Sequence, residues 1–291
     1  MVFSALGDIA ALLPYLRMIE PKPTIITSYL GKELLKDEFK DFLLLDSKKM
    51  LDVIRLIISV RKLKLDELID FQCNDRSRFI SKFSFSKRVF NNHGIDTDSP
   101  VHVILSKMSQ RAMIFDSLKL KREEKKNGQY IVLNAGSSEK WSSKRLPFGK
   151  WREISEYLYY VYKLPFILTG ALDEVDYVNE VAEYIKGDVI NKAGSTSIIE
   201  LKYLLRDAKL TVSTDSGPMH ISSVMGTPTI GIFGATSWIK SAPFGPWSIA
   251  IYDRTYFLDD KPMERNSLII NEDLYANIDI KSALKKIKQY I

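Results

Sequence analysis

Leu210-Thr211-Val212-Ser213-Thr214-Asp215-Ser216-Gly217-Pro218-Met219-His220 decides how this chain is read. A β-prone apolar run passes through small polar residues into Gly-Pro, and apolar residues then return at helical spacing, so a strand runs directly into a helix. Asp215 or Ser216 can cap that helix, and Pro218 suits its first position. Gly217 lets a ligand approach the backbone closely. The free N–H groups and positive end of the helix form an anion site, and His220 in the first turn can donate to the same anion. The same residues also read as a well-capped helix with an incidental histidine.

Working outward, the pattern repeats. Downstream of a charged stretch at 119–128, strands are predicted at 130–134, 166–169, 210–213 and 229–233, and helices at 148–162, 173–185, 198–207 and 218–225. Upstream, strands are predicted at 24–29, 42–45 and 68–73, with helices at 10–20 and 49–63. This alternation implies two doubly wound α/β units with mostly parallel sheets, joined by a linker at 119–128. The expected organisation is 1–125, 126–278 and a last helix in 279–291 that returns to the first domain. Only Met1-Val2-Phe3 precedes the first turn, so the first strand is either short or begins upstream.

In such sheets ligands sit beyond the carboxyl ends of the strands, and three further segments lie there. Asn134-Ala135-Gly136-Ser137-Ser138, followed by Ser143-Lys144-Arg145-Leu146-Pro147, offers small residues and hydroxyls to cradle a diphosphate, with Lys144 to neutralise it. In Ser4-Ala5-Leu6-Gly7-Asp8, Gly7 is expected to make a tight strand-to-helix turn. Asp8 stands at the helix start, either as a general base for a hydroxyl or as an N-cap. Gly231-Ile232-Phe233-Gly234-Ala235-Thr236-Ser237 is again a strand and a glycine turn, with hydroxyls, Thr236 among them, for a phosphate or ribose.

Composition narrows the classes. The chain has 291 residues, 45% hydrophobic and 27% charged, which suits a folded two-domain protein. A single cysteine, Cys73, excludes an internal disulfide and a multi-cysteine zinc site; at the end of the predicted strand 68–73 it reads as a structural thiol. No apolar run is long enough to span a bilayer, and no signal peptide is seen. The net charge of +6 lies wholly in residues 1–127, where 23 Lys and Arg face 17 Asp and Glu, so that half is the better candidate for an anionic partner.

Taken together, the opening Ala-Leu-Gly-Asp (5–8), the central Asn-x-Gly-Ser with Ser-Lys-Arg-x-Pro (134–137, 143–147) and the late Asp-Ser-Gly-Pro-Met-His with Gly-Thr-Pro and Phe-Gly-x-Thr (215–220, 226–228, 233–236) resemble the ADP-heptose:lipopolysaccharide heptosyltransferases. The resemblance runs over nearly the whole chain. It implies two facing Rossmann-like domains of the GT-B type, the first for the acceptor and the second for the donor. It further implies an inverting enzyme that moves heptose from ADP-heptose onto Kdo or heptose of the lipopolysaccharide inner core. Asp8 takes the place of the general base, and Lys144 that of the lysine on the donor phosphate. Asn134, Gly136, Ser137, Ser138, Asp215, Ser216, Gly217, His220 and Thr236 fall to the donor, as does Glu174, for the ribose, with Asp173 its rival. Gly7, Arg76 and Arg78 fall to the acceptor. No metal or other cofactor is implied beyond the ADP-sugar co-substrate. The partners implied are the nucleotide sugar, an anionic lipid-linked glycan and the inner membrane, touched peripherally from the cytoplasm; nucleic acid is not implied. Ala135 and Ala235 depart from the family, standing where proline is frequent.

Other readings are kept beside this one: the same fold with another nucleotide sugar, for other glycans or for protein glycosylation, and a nucleotide-sugar-binding protein without turnover. Asp96-Thr97-Asp98 has a metal-binding form but no neighbouring ligands. Residues 76–90 interleave Arg76, Arg78, Lys82, Lys87 and Arg88 with Phe79, Phe83, Phe85 and Phe90, which suits single-stranded nucleic acid, a membrane surface or a charged lipid-linked acceptor, the last two fitting a sugar-transfer enzyme best, or else a helix and strand with one buried aromatic face. Residues 49–64 are read as a core-packing helix with a wet outer face.

Overall fold

Two α/β units make up the chain, Met1–Leu120 and Lys121–Ile291. Their structure is a computed structural model that describes residues 1–96, 98–111, 128–137, 139–257 and 272–291. Apart from Gly128, the expected linker lies outside the described residues, as does Ser138.

In the first unit, β1 (Ile25–Thr27) pairs in parallel with β2 (Phe42–Leu44), and β3 (Glu67–Ile69) pairs in parallel with β4 (Arg88–Phe90). Met1–Phe3 joins the two pairs. The Val2 N–H donates to the Ile26 carbonyl (2.9 Å) and the Phe71 N–H to that of Met1 (3.1 Å), while the terminal amine donates to that of Ile69 (2.7 Å). A three-residue rung thus does the work of a central strand. Helices α1 (Leu6–Leu16), α2 (Tyr29–Leu35), α3 (Met50–Lys62), α4 (Asp75–Phe83) and α5 (Val101–Arg111) complete the unit. Its core gathers Met1, Phe3, Ile26, Leu45 and Leu68 from the sheet region against Val53, Leu56, Ile57 and Val60 of α3 and Ile80 of α4.

Two expectations are corrected here. The first helix begins at Leu6 rather than residue 10, so Gly7 lies inside α1 with negative φ and the turn is made by Ser4 and Ala5. The predicted strand 68–73 ends at Ile69 because the buried Asp70 turns the chain: its carboxylate accepts the N–H groups of Gln72 and Cys73 (both 3.1 Å) and the Ser77 hydroxyl (2.8 Å). Cys73 therefore sits in a loop at φ 51, its thiol donating to the Asp70 carbonyl (2.8 Å). Burial pushes that thiol up to about 11, which keeps it protonated and inert.

The second unit holds one six-stranded sheet. In chain order the strands are β5 (Ile131–Asn134), β6 (Phe166–Thr169), β7 (Val189–Asn191), β8 (Leu210–Thr214), β9 (Thr229–Ile232) and β10 (Ser248–Ile251). The spatial order is β10-β9-β8-β5-β6-β7, all parallel. The chain leaves β5 toward one edge and returns to β8 on the other side, so the strand order reverses between β5 and β8. Among the helices, α6 (Phe148–Tyr162), α7 (Val175–Tyr184), α8 (Ile198–Asp207), α9 (Gly217–Val224) and α10 (Trp238–Ser241) follow their strands, and α11 (Ile280–Ile287) closes the chain. A buried hydroxyl chain pins α9 to the sheet: Ser222 donates to Thr211 of β8 (2.8 Å), and Thr229 of β9 donates to Ser222 (2.9 Å).

The expected return of the last helix to the first domain is not what the structure shows. Ile280, Ala283, Leu284 and Ile287 of α11 belong to the core of the second unit, with Ile131, Phe166 and Val212. Asp253, fully buried, fastens the approach to this helix. Its carboxylate accepts from Thr255 (N 2.8 Å, Oγ1 2.7 Å) and Tyr256 N (3.2 Å) on one oxygen and from Asn277 N (2.7 Å) on the other. Burial works against the charged form, but these hydrogen bonds outweigh it and hold the carboxyl below its ordinary range. Asp253→Ala leaves these donors unsatisfied and is expected to lower unfolding free energy by about 1–3 kcal/mol in urea titrations. A depressed carboxylate stabilises above its unfolded value and stops doing so as pH falls through the folded one, so the wild-type advantage should shrink below about pH 4.

Candidate functional site

The carboxyl end of the second sheet, at the reversal between β5 and β8, brings together most of the residues singled out in that half. Asn134 closes β5 and lies in register with Thr169 on one side and Ser213 on the other. Its side chain is buried and fully engaged. Oδ1 accepts from the Thr169 hydroxyl (2.8 Å), and Nδ2 donates to the hydroxyls of Ser213 (3.2 Å) and Ser216 (2.9 Å). These bonds fix the amide orientation and tie the ends of three strands to the loop before α9.

Ser216 is the N-cap residue of α9, yet its side chain makes no capping bond, because the hydroxyl is turned toward Asn134, Ser213 and the Thr214 carbonyl (3.1 Å). Asp215 does not cap either; its carboxylate pairs with Lys144 (3.0 Å), whose ammonium also donates to the Asp215 carbonyl (3.2 Å) and stands 5.4 Å from the centre of the Trp141 ring. Both candidate caps are therefore spent elsewhere, and the first turn of α9 presents backbone N–H groups without a side-chain cap, beside a lysine. This is an anion-binding arrangement. Pro218 is the second helical residue, and His220 is buried in the same turn.

Across β5, Glu174 is buried behind two glycines. Its Oε2 accepts the Ala171 N–H (2.8 Å), and a Cβ on Gly136 would stand 2.0 Å from that same oxygen. A Cβ on Gly170 would come within 3.3 Å of it. Glu174 rather than its rival Asp173 is thus the acid built into the strand ends: it is buried where Asp173 is exposed. Burial raises its pKa above the ordinary value. Ser137 gives its hydroxyl to the Trp141 carbonyl (2.9 Å) and its carbonyl to Arg145 Nε (3.0 Å), while the Arg145 guanidinium lies 4.1 Å from the centre of the Tyr177 ring. Thr236, half-buried, lies in the turn after β9; the neighbouring Gly234 packs against Tyr275, whose hydroxyl donates to the Ser143 carbonyl (2.8 Å).

In the first unit Asp8 is exposed in the first turn of α1. Rather than serving as the N-cap itself, it reaches back so that Oδ2 accepts the Ala5 N–H (2.8 Å). Gln72, missed in the sequence, clamps this loop: its Oε1 accepts the N–H groups of Phe3 (2.6 Å) and Ser4 (2.9 Å), and its Nε2 donates to the Ser4 carbonyl (2.9 Å). Its signal was present, since it is a polar side chain just after an apolar strand in a parallel sheet. Arg76 and Arg78 lie at the start of α4, Arg76 half-buried and Arg78 exposed. Asp96 Oδ1 accepts the Asp98 N–H (2.9 Å) and its Oδ2 the Ser99 hydroxyl (3.1 Å), a local turn; among the described residues no group of three or more His, Cys, Asp and Glu is placed to hold a metal ion.

Two Rossmann-like units of this kind make up the GT-B glycosyltransferase fold. The structure is similar to a glycosyl transferase family 9 protein from Veillonella parvula (TM-score 0.74, 16% identity, 99% of this chain and 96% of that one). It is likewise similar to the Escherichia coli heptosyltransferase WaaC with ADP (TM-score 0.67, 15% identity, 86% and 92%). In sequence, the lipopolysaccharide heptosyltransferase 1 of Campylobacter coli is 25% identical, with 82% of this chain and 84% of that protein covered. The Escherichia coli lipopolysaccharide heptosyltransferase 3 is 36% identical over 28% of this chain and 24% of that one. The profile of glycosyltransferase family 9 (heptosyltransferase) matches residues 85–265, and the chain belongs to that family of glycosyltransferases.

Gly136 tests the packing around Glu174. Gly136→Ala is expected to lower stability by about 1–3 kcal/mol, as overpacked sites do. In a Glu174→Ala background the same substitution should cost less, the remaining close contact being the Gly170 Cα at 3.0 Å. A double-mutant cycle read by urea denaturation measures the difference.

Proposed function

We propose that this glycosyltransferase moves heptose, with inversion, from ADP-heptose onto Kdo or heptose of a lipid-linked lipopolysaccharide inner-core acceptor. The observation that carries this reading is the join of the Asn134 cluster, the α9 N-terminus and Lys144 at the strand reversal, in a chain of family 9. Solved relatives contain ADP or ADP-2-deoxy-2-fluoro heptose, which supports an adenosine diphosphate sugar as donor.

In this reading the α9 N–H groups, Lys144 and His220 receive the donor diphosphate and stabilise its charge as it leaves. Gly217 lets it approach the backbone, while Gly136 makes room for Glu174 beside it. Glu174 keeps Oε2 on Ala171 and offers its other oxygen to a ribose hydroxyl. Asp8 likewise holds Ala5 with Oδ2 and offers Oδ1 to the attacking acceptor hydroxyl as general base. Arg76 and Arg78 supply positive charge for an anionic acceptor. No metal is needed for these roles.

Titration with ADP-heptose, ADP-glucose, UDP-glucose and GDP-mannose, followed by thermal shift, tests the donor. ADP-heptose should stabilise the protein selectively, by about 2.7 kcal/mol at a hundred times its Kd. Preference for a UDP- or GDP-sugar would replace the donor, and no response to any would refute nucleotide-sugar binding.

Asp8→Asn retains an oxygen for the Ala5 N–H and so preserves the helix start. Its transfer rate should nonetheless fall about 10²–10⁴-fold, with donor affinity unchanged. Normal transfer by the variant would remove Asp8 from the role of base.

A further inference from the structure

Helix α3 has two apolar faces. Val53, Leu56, Ile57 and Val60 are buried in the core of the first unit, as expected of an amphipathic helix. The outer face is not the wet one that its basic residues suggest. Met50, Leu51, Ile54 and Ile58 are 44–68% exposed, and at about 100° per residue they fall within an arc of roughly 100° on one side. Arg61 lies in the same sector one turn on, with its guanidinium 4.0 Å from the ring centre of Phe85. That ring is 74% exposed at a residue with left-handed backbone, φ 58.

The stripe is bordered by positive charge. Lys48 and Lys49 precede it, Arg55 and Lys62 flank it and Lys64 follows, all exposed. From residue 46 to 64 the acids are Asp46 and Asp52, and Asp52 is paired with Arg55 (3.1 Å). Apolar side chains between cations with long aliphatic stems, and an exposed aromatic at one end, are the features of a helix lying at an anionic bilayer surface. The stripe from Met50 to Ile58 is only about 12 Å long and about one helix wide, on the order of 100 Å², far short of the roughly 800 Å² per partner of a stable protein interface. Interfacial binding needs only a few inserted side chains and a basic border. Among the described residues no helix is long and apolar enough to cross a membrane, so contact through α3 would be peripheral.

We infer that the outer face of α3, with Phe85, docks this enzyme on an anionic membrane surface. The inference deepens the reading of a lipid-linked acceptor. Its test uses neither donor nor acceptor, so each can fail without the other.

The test is flotation of the full chain with vesicles of phosphatidylethanolamine containing about one third phosphatidylglycerol, against vesicles of phosphatidylcholine alone. The wild type should float with the anionic vesicles at least about tenfold better, and the difference should shrink as salt is raised. The triple variant Leu51→Ser, Ile54→Ser, Ile58→Ser should lose at least about tenfold in partitioning while keeping the wild-type melting temperature. The single variant Phe85→Ser, outside the helix, should lose partitioning in the same direction. Wild-type protein that stays with the buffer, or variants that float as well as wild type, would overturn the inference. So would a wild-type dimer in sedimentation that the triple variant dissociates, since a second copy would then own the face.

Discussion

The side chain of Asn134 is the constraint on which the second unit's site depends. A planar amide has one acceptor end and one donor end, and here each is satisfied in the interior by hydroxyls from neighbouring elements. Because buried polar groups are costly when left unpaired, the cluster has one good arrangement. Thr169 and Ser213 must stand level with Asn134, which sets the register of β6 and β8 on β5, and Ser216 must turn inward. Once it does, it no longer caps α9. The capping residue is thus withdrawn from the helix start by the same bonds that hold the strands level, and the free N–H groups are a consequence of the sheet's own cohesion.

Both units place their first strand in the middle. In the second it is β5; in the first it is the rung Met1–Phe3, held by β1 on one side and β3 on the other. A central first strand forces the chain to wind outward one way and then the other, so the loop after that strand meets the loop after the strand across the reversal. In the second unit the two are the Asn134–Ser137 segment and the Thr214–Gly217 segment. In the first they are the Ser4–Asp8 turn and the Asp70–Asn74 loop, which Gln72 ties together. The same topology, met twice, puts a polar clamp at each reversal.

Much of this was legible in the residues. Strong apolar runs with small polar residues after them located β5, β6, β8 and β9 and the loops that follow, because a central parallel strand is buried on both faces and reads as an uninterrupted run. β7 and β10 were not seen: their side chains are largely half-buried or exposed, and edge strands carry little pattern. The partners of Asn134 and Lys144 were hidden for another reason. Such contacts join residues some 35 to 82 apart in the chain, and no local spacing records them. Asp215 shows the limit well: its place before Gly-Pro suggests a cap, and only the fold reveals the lysine that claims it. Helix α3 shows the converse: its apolar residues run around more than one face, and only the fold decides that Val53, Leu56, Ile57 and Val60 are buried while Met50, Leu51, Ile54 and Ile58 stay exposed.

In the proposed donor site, the ion pair of Lys144 and Asp215 sets a threshold. A lone lysine beside open N–H groups would collect any phosphate that drifted by. Here the ammonium is already neutralised, so an incoming anion must compete with a carboxylate fixed 3.0 Å away. A small anion touching the lysine alone gains little from that exchange. A longer one that also reaches the helix N–H groups and the strand ends beside Glu174 brings enough contacts to win it. For the proposed donor, discrimination between the complete ligand and its fragments would then rest on the resting charge balance, before any contact with the sugar.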